Sequence, residues 1–112
     1  MTGSPQILLV LTSFPDNAHA RELAELLVDR RLAACVNILQ EGTSVYRWQN
    51  QIEAASEFPV LIKTTRQRYE AVEQAIKSLH PYELPEIIAV PVDNGLSAYL
   101  QWIAHETTEP NI

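Results

Sequence analysis

The chain has 112 residues, 46% of them hydrophobic and 20% charged, with three glycines and seven prolines; that length suits one domain with its own core, and the composition excludes a disordered or fibrous chain. Eight Lys and Arg against fourteen Asp and Glu leave a net charge of −6, a field that repels phosphate backbones and excludes nucleic acid as an expected partner. A lone cysteine, Cys35, leaves no intrachain disulfide and suits a reducing cytoplasm, while the apolar run Ile7 to Leu11 is too short for a signal-peptide core or a membrane span.

Ile7 to Leu11 is a continuous run of branched apolar residues, the pattern of a strand buried on both faces. Pro15 and Asp16 then signal a helix start, and Ala20, Leu23, Ala24 and Leu27 share one stripe, with Arg30 and Arg31 at the negative end of the dipole. Two strands follow, from Leu32 to about Tyr46 and from about Ile52 to Thr65, joined by the polar "WQNQ" turn as an antiparallel hairpin. Pro59 inside the second marks an edge position or a bulge. Thr65 is placed to cap a second helix in which Tyr69, Val72, Ile76 and Leu79 fall on one side, and the helix ends at Pro81. "EIIAVPV", Glu86 to Val92, reads as the last strand, and after "DNG" a short helix puts Leu96, Tyr99, Leu100 and Ile103 on one side.

The order β-α-β-β-α-β-α predicts an α+β fold, the ferredoxin-like βαββαβ sandwich, with a C-terminal helix added. Its hairpin is too long for its helices. Arms of roughly 13 to 15 residues span about 45 Å at ~3.3 Å per residue, while the first helix covers roughly 24 Å. The uncovered part carries Tyr46 and Trp48 on one strand face, and an aromatic ribbon left bare invites pairing with neighbouring copies. The chain is therefore expected to form an oligomer.

His80, Glu83 and Glu86 put an imidazole and two carboxyl groups within seven positions, and Cys35 adds a thiolate if folding brings it close. These are ligand types for a divalent cation, though without the repeated pairs of a strong metal motif. The other reading has His80 capping the helix while Pro81 and Pro85 stiffen the connection to the strand. Cys35 is read first as a small buried thiol. Glu53, Glu57 and Lys63 on the second hairpin strand form either a solvated sheet face or part of a pocket for a small ion. Trp102 lies off the apolar stripe of the last helix, free to meet another subunit. His19 and His105 read as helix-surface residues. No Gly-rich phosphate loop, G-x-S-x-G or H-E-x-x-H occurs, so no standard enzyme motif is present.

"LAACVNI" (Leu32 to Ile38), "SVYRWQNQIE" (Ser44 to Glu53), "LIKTT" (Leu61 to Thr65), "HPYELPEI" (His80 to Ile87) and "YLQWI" (Tyr99 to Ile103) together resemble the CutA1 family, the divalent-cation tolerance proteins. The resemblance runs from about Ile7 to Ala104. It implies a tight homotrimer resembling the PII signalling proteins, held by the long hairpins, and a non-enzymatic role in tolerance of copper and other divalent cations. His80 of "HPY" is the best metal candidate it offers, with Cys35 of "AAC" next. Copper-binding members also place a cysteine near the end of the first strand and a histidine just before "HPY". Here Thr12 and Leu79 stand there, which implies weak binding. Trp48, Glu57, Lys63, Tyr82 and Glu86 belong to recurrent family motifs and are expected around an intersubunit cleft. Two rivals differ in class: a PII-like sensor taking a small ligand or partner protein in that cleft, and an acylphosphatase-like enzyme. The enzyme needs a glycine-rich anion loop where this chain has "TSFPDNAHAR", which lacks glycine.

Overall fold

A computed structural model describes residues 5–108. The elements are β1 (Ile7–Phe14), α1 (Asn17–Asp29), β2 (Cys35–Ile38), β3 (Gly42–Trp48), β4 (Gln51–Thr65), α2 (Arg66–Leu79), β5 (Ile88–Pro91) and α3 (Ser97–Glu106). All pairings are antiparallel in one five-stranded sheet, ordered β2-β4-β1-β5, with β3 also on β4.

Directly opposed residues of an antiparallel sheet share a face, so the register sorts the side chains. Val10, Phe14, Val60 and Ile62 lie on one face and form the main core with Ala20, Leu23 and Leu27 of α1 and Val72 and Ile76 of α2. Both helices therefore lie on this side. Asp16 starts α1 by accepting the His19 N–H at 2.8 Å, which satisfies one of the free donors of the first turn. The other face carries Leu9, Leu11, Ser13, Leu61 and Lys63. α3 covers only one end of it, where Ile103 packs on Ile7 and Ala34. Ile88 and Val90 of β5, in register with Leu11 and Leu9, remain 53% and 45% exposed.

Several expectations change. The first strand runs on to Phe14, because Thr12, Ser13 and Phe14 pair with Val60, Pro59 and Phe58. The first hairpin arm is not one strand: it breaks at 39–41 into β2 and β3. Pro59 explains the break. It lies in β4 opposite Ser13 of β1, at the point where the register with the other arm slips by one residue, from Val60 opposite Ile38 to Glu57 opposite Gly42, so the expected bulge is met, with the extra residue on the facing arm. Its carbonyl accepts from Leu39 N–H at 2.9 Å, and it has no N–H to return on that side. The turn sits at Gln49 and Asn50, both at positive φ, 50° and 65°, as a two-residue hairpin loop requires. Thr65 occupies the cap position of α2 without a side-chain capping bond. The last strand is shorter than expected, and Leu96 and Tyr99 stay exposed while Ile103 alone of their stripe is buried.

Candidate functional site

Four residues from three elements meet at the end of β1. Ser13 shares its face with Glu57, two positions before its register partner Pro59, and its hydroxyl donates to Glu57 Oε1 at 3.4 Å. Glu57 is only 8% exposed, so of its two readings the solvated face is wrong and the pocket fits, because Ser13 and the segment after α2 close over it. Tyr82 comes from that segment. Burial, then hydrogen bonding to Glu57 and the charge of Glu57 and Tyr46, push its phenol up to about 12.

His80 sets the path of this segment. It ends α2, its backbone N–H bonded to the Ile76 carbonyl. Its ring is buried between Phe14 and Tyr82, with centroids 4.4 Å and 4.8 Å away. Nδ1 accepts the Tyr82 N–H at 3.1 Å, so Nε2 carries the proton and donates to the Ser13 carbonyl at 2.6 Å. Both nitrogens are occupied. The capping reading thus gains two bonds the sequence did not suggest.

In front of these groups a cleft of about 680 Å³ opens on the face away from α1 and α2, lined among others by Tyr46, Trp48, Glu57, Tyr82, Glu83 and Glu86. Tyr46 and Trp48 pair with Glu53 and Gln51, so they share the sheet face of Glu57. Trp48, Glu57, Tyr82, Glu83 and Glu86 line this one cleft within the protomer, with His80 behind them. Cys35 and Lys63 are not. They face each other across β2 and β4, about 13 Å along the strands from Ser13 at ~3.3 Å per residue. Lys63 Nζ donates to the Tyr99 hydroxyl at 3.3 Å, and Cys35 is half-buried with Sγ 3.8 Å from Asn37 Oδ1. Ser13 is the member sequence reasoning missed; alternation with Leu9 and Leu11 would have found it once the strand was carried to Phe14.

The protein family described as CutA1 divalent ion tolerance protein matches residues 8–106. The chain belongs to the CutA1 family. Among CutA relatives, the divalent-cation tolerance protein of Thermus thermophilus is 42% identical over 99 residues, 88% of this chain and 96% of the relative. Protein CutA of Mus musculus is 43% identical over 95 residues, and this chain spans 53% of its length. The crystal structure of CutA from Xylella fastidiosa superposes with a TM-score of 0.88 at 43% identity, covering 91% of this chain and 98% of that one. The matched stretch contains every CutA1 motif noted in the sequence and all the residues of the cleft. Among the described residues no helix is long and apolar enough to cross a membrane.

Proposed function

We propose that this chain serves divalent-cation tolerance in the cytoplasm as a non-enzymatic homotrimer of ferredoxin-like protomers, taking copper or another divalent cation weakly at the Glu57–Tyr82 cleft. The observation that carries the reading is membership of the CutA1 family, matched over residues 8–106. The strand order β2-β4-β1-β5, with α1 and α2 on one face, supports the ferredoxin-like description. The free thiol of Cys35 supports a reducing compartment.

Self-association has its own support. Ile88 and Val90 flank the half-buried Leu9, Leu11 and Leu61 on the sheet face that α3 leaves open. At the hairpin, Val45 and Ile52 are 68% and 72% exposed. Apolar surface in two patches along one sheet suits copies of the same chain.

The donors decide how a cation is held. Those facing the cleft are carboxylate oxygens of Glu57, Glu83 and Glu86, which suit hard and borderline ions, whereas copper gains most from imidazole and thiolate. His80 becomes a ligand only if Tyr82 N–H releases its Nδ1, and Cys35 is too distant to share an ion with it in one protomer. Among the described residues no three His, Cys, Asp or Glu side chains gather as a ready site. Water or a second copy must complete the coordination, which makes binding weak. The role is tested by deleting the gene and measuring growth across copper concentrations. Sensitivity restored by the wild-type chain supports it, and unchanged growth contradicts it.

A further inference from the structure

On the far side of the molecule a second cavity, about 660 Å³, lies between the start of α2 and the end of α3, lined by Thr65, Gln67, Arg68, His105 and Thr107 among others. The first turn of α2 reads Arg66, Gln67, Arg68 and holds no acidic residue. That arrangement is unfavourable by itself, because the N-terminal end of a 14-residue helix already carries positive partial charge. Arg31 is held to the end of α3 nearby by bonds to the His105 and Thr108 carbonyls, its charge offset by Glu106 at 3.8 Å. Independently, Thr65 is only 3% exposed, lines the cavity, and makes no side-chain capping bond. Among the described residues its hydroxyl has no partner. Thr12 Oγ1 is the one enclosed side-chain atom without a partner among the described residues, so the otherwise buried Thr65 opens its hydroxyl to the cavity, where a ligand can accept from it. The Arg66 N–H is used by the Gln6 carbonyl, which leaves the Gln67 N–H directed out of the first turn. The Arg68 side chain is fixed at the cavity wall by its Nε bond to the Thr107 carbonyl at 2.7 Å.

We propose that this cavity binds a small tetrahedral oxyanion, phosphate or sulfate. The Thr65 hydroxyl and the Gln67 N–H donate to it, and the helix end supplies positive charge. It lies apart from the cation cleft and does not depend on it.

The test is an amide-resolved NMR titration of the full chain with sodium phosphate, sodium sulfate and, at matched ionic strength, sodium chloride. Saturable shifts at Thr65, Gln67 and Arg68 with phosphate or sulfate, absent with chloride, are expected. Thr65→Val removes one charge-assisted bond and should weaken binding about tenfold. Thr65→Asp supplies the chain's own carboxylate at the helix start; it should abolish the saturable response and raise Tm in anion-free buffer. Shifts no different from chloride, undiminished affinity in Thr65→Val, or phosphate binding retained by Thr65→Asp would each overturn the proposal.

Discussion

His80 and Ser13, 67 positions apart, are joined by a 2.6 Å bond from the imidazole Nε2 to the backbone carbonyl. Because Nδ1 accepts the Tyr82 N–H, one ring fixes the end of β1 and the start of the segment carrying Tyr82, Glu83 and Glu86. His80→Ala removes both bonds and the contacts with Phe14 and Tyr82. It should lower stability by about 3 kcal/mol, seen as a reduced urea midpoint. An unchanged midpoint would show that the ring does not hold the segment.

Tyr82 makes the cleft sensitive to alkali. Its phenol titrates near 12 in the fold, raised by burial and then by Glu57, against an ordinary value of 10.0. The protonated form is favoured by folding, so this contribution is complete below pH 10 and is lost as pH rises toward 12. Glu57→Gln removes the charge and should bring the Tyr82 midpoint down toward 10. The tyrosinate absorbance of each protein minus that of its Tyr82→Phe counterpart isolates this group. A midpoint indifferent to Glu57→Gln would refute the contact.

Thr12 lies on the helix-facing side of β1, 2% exposed, and its hydroxyl has no hydrogen-bond partner among the described residues. A buried, unpaired hydroxyl costs stability that an apolar isostere regains. Thr12→Val should therefore stabilise the fold by about 1 kcal/mol, measured by chemical denaturation. A loss of stability would mean the hydroxyl is bonded in solution.

The open sheet face predicts self-association, and the proposed homotrimer, which rests on the family resemblance, sets the number of copies. Wild type should sediment at three times the 12.6 kDa chain mass, and Ile88→Lys with Val90→Lys should shift it toward the monomer by burying charge in the contact. A double variant that stays trimeric would move the interface elsewhere.

Most of the element order was legible because periodicity survives where one face is buried: Val72 and Ile76 of α2, or Leu23 and Leu27 of α1. The strand break was not. Nothing in Leu39 to Glu41 reads as a stop, since its cause is Pro59, whose missing donor matters only once pairing is known. The cleft was legible in its members, Trp48, Glu57, Tyr82, Glu83 and Glu86, through their motifs. Their arrangement was not, because the 2.6 Å His80–Ser13 bond that organises it spans 67 positions and involves a backbone carbonyl. Local sequence carries no mark of such a contact. Lys63 entered through the "LIKTT" motif and Cys35 through "AAC" and its ligand type, and within one protomer strand register places both apart from the cleft.

The cleft carboxylates are proposed to hold the divalent cation. Isothermal titration calorimetry with copper(II), on wild type and on a Glu83→Gln, Glu86→Gln double variant, tests it most directly. Weak, saturable binding by wild type and at least about a tenfold loss in the double variant are expected, since each lost carboxylate removes a charged ligand. Identical binding curves for the two proteins would contradict it.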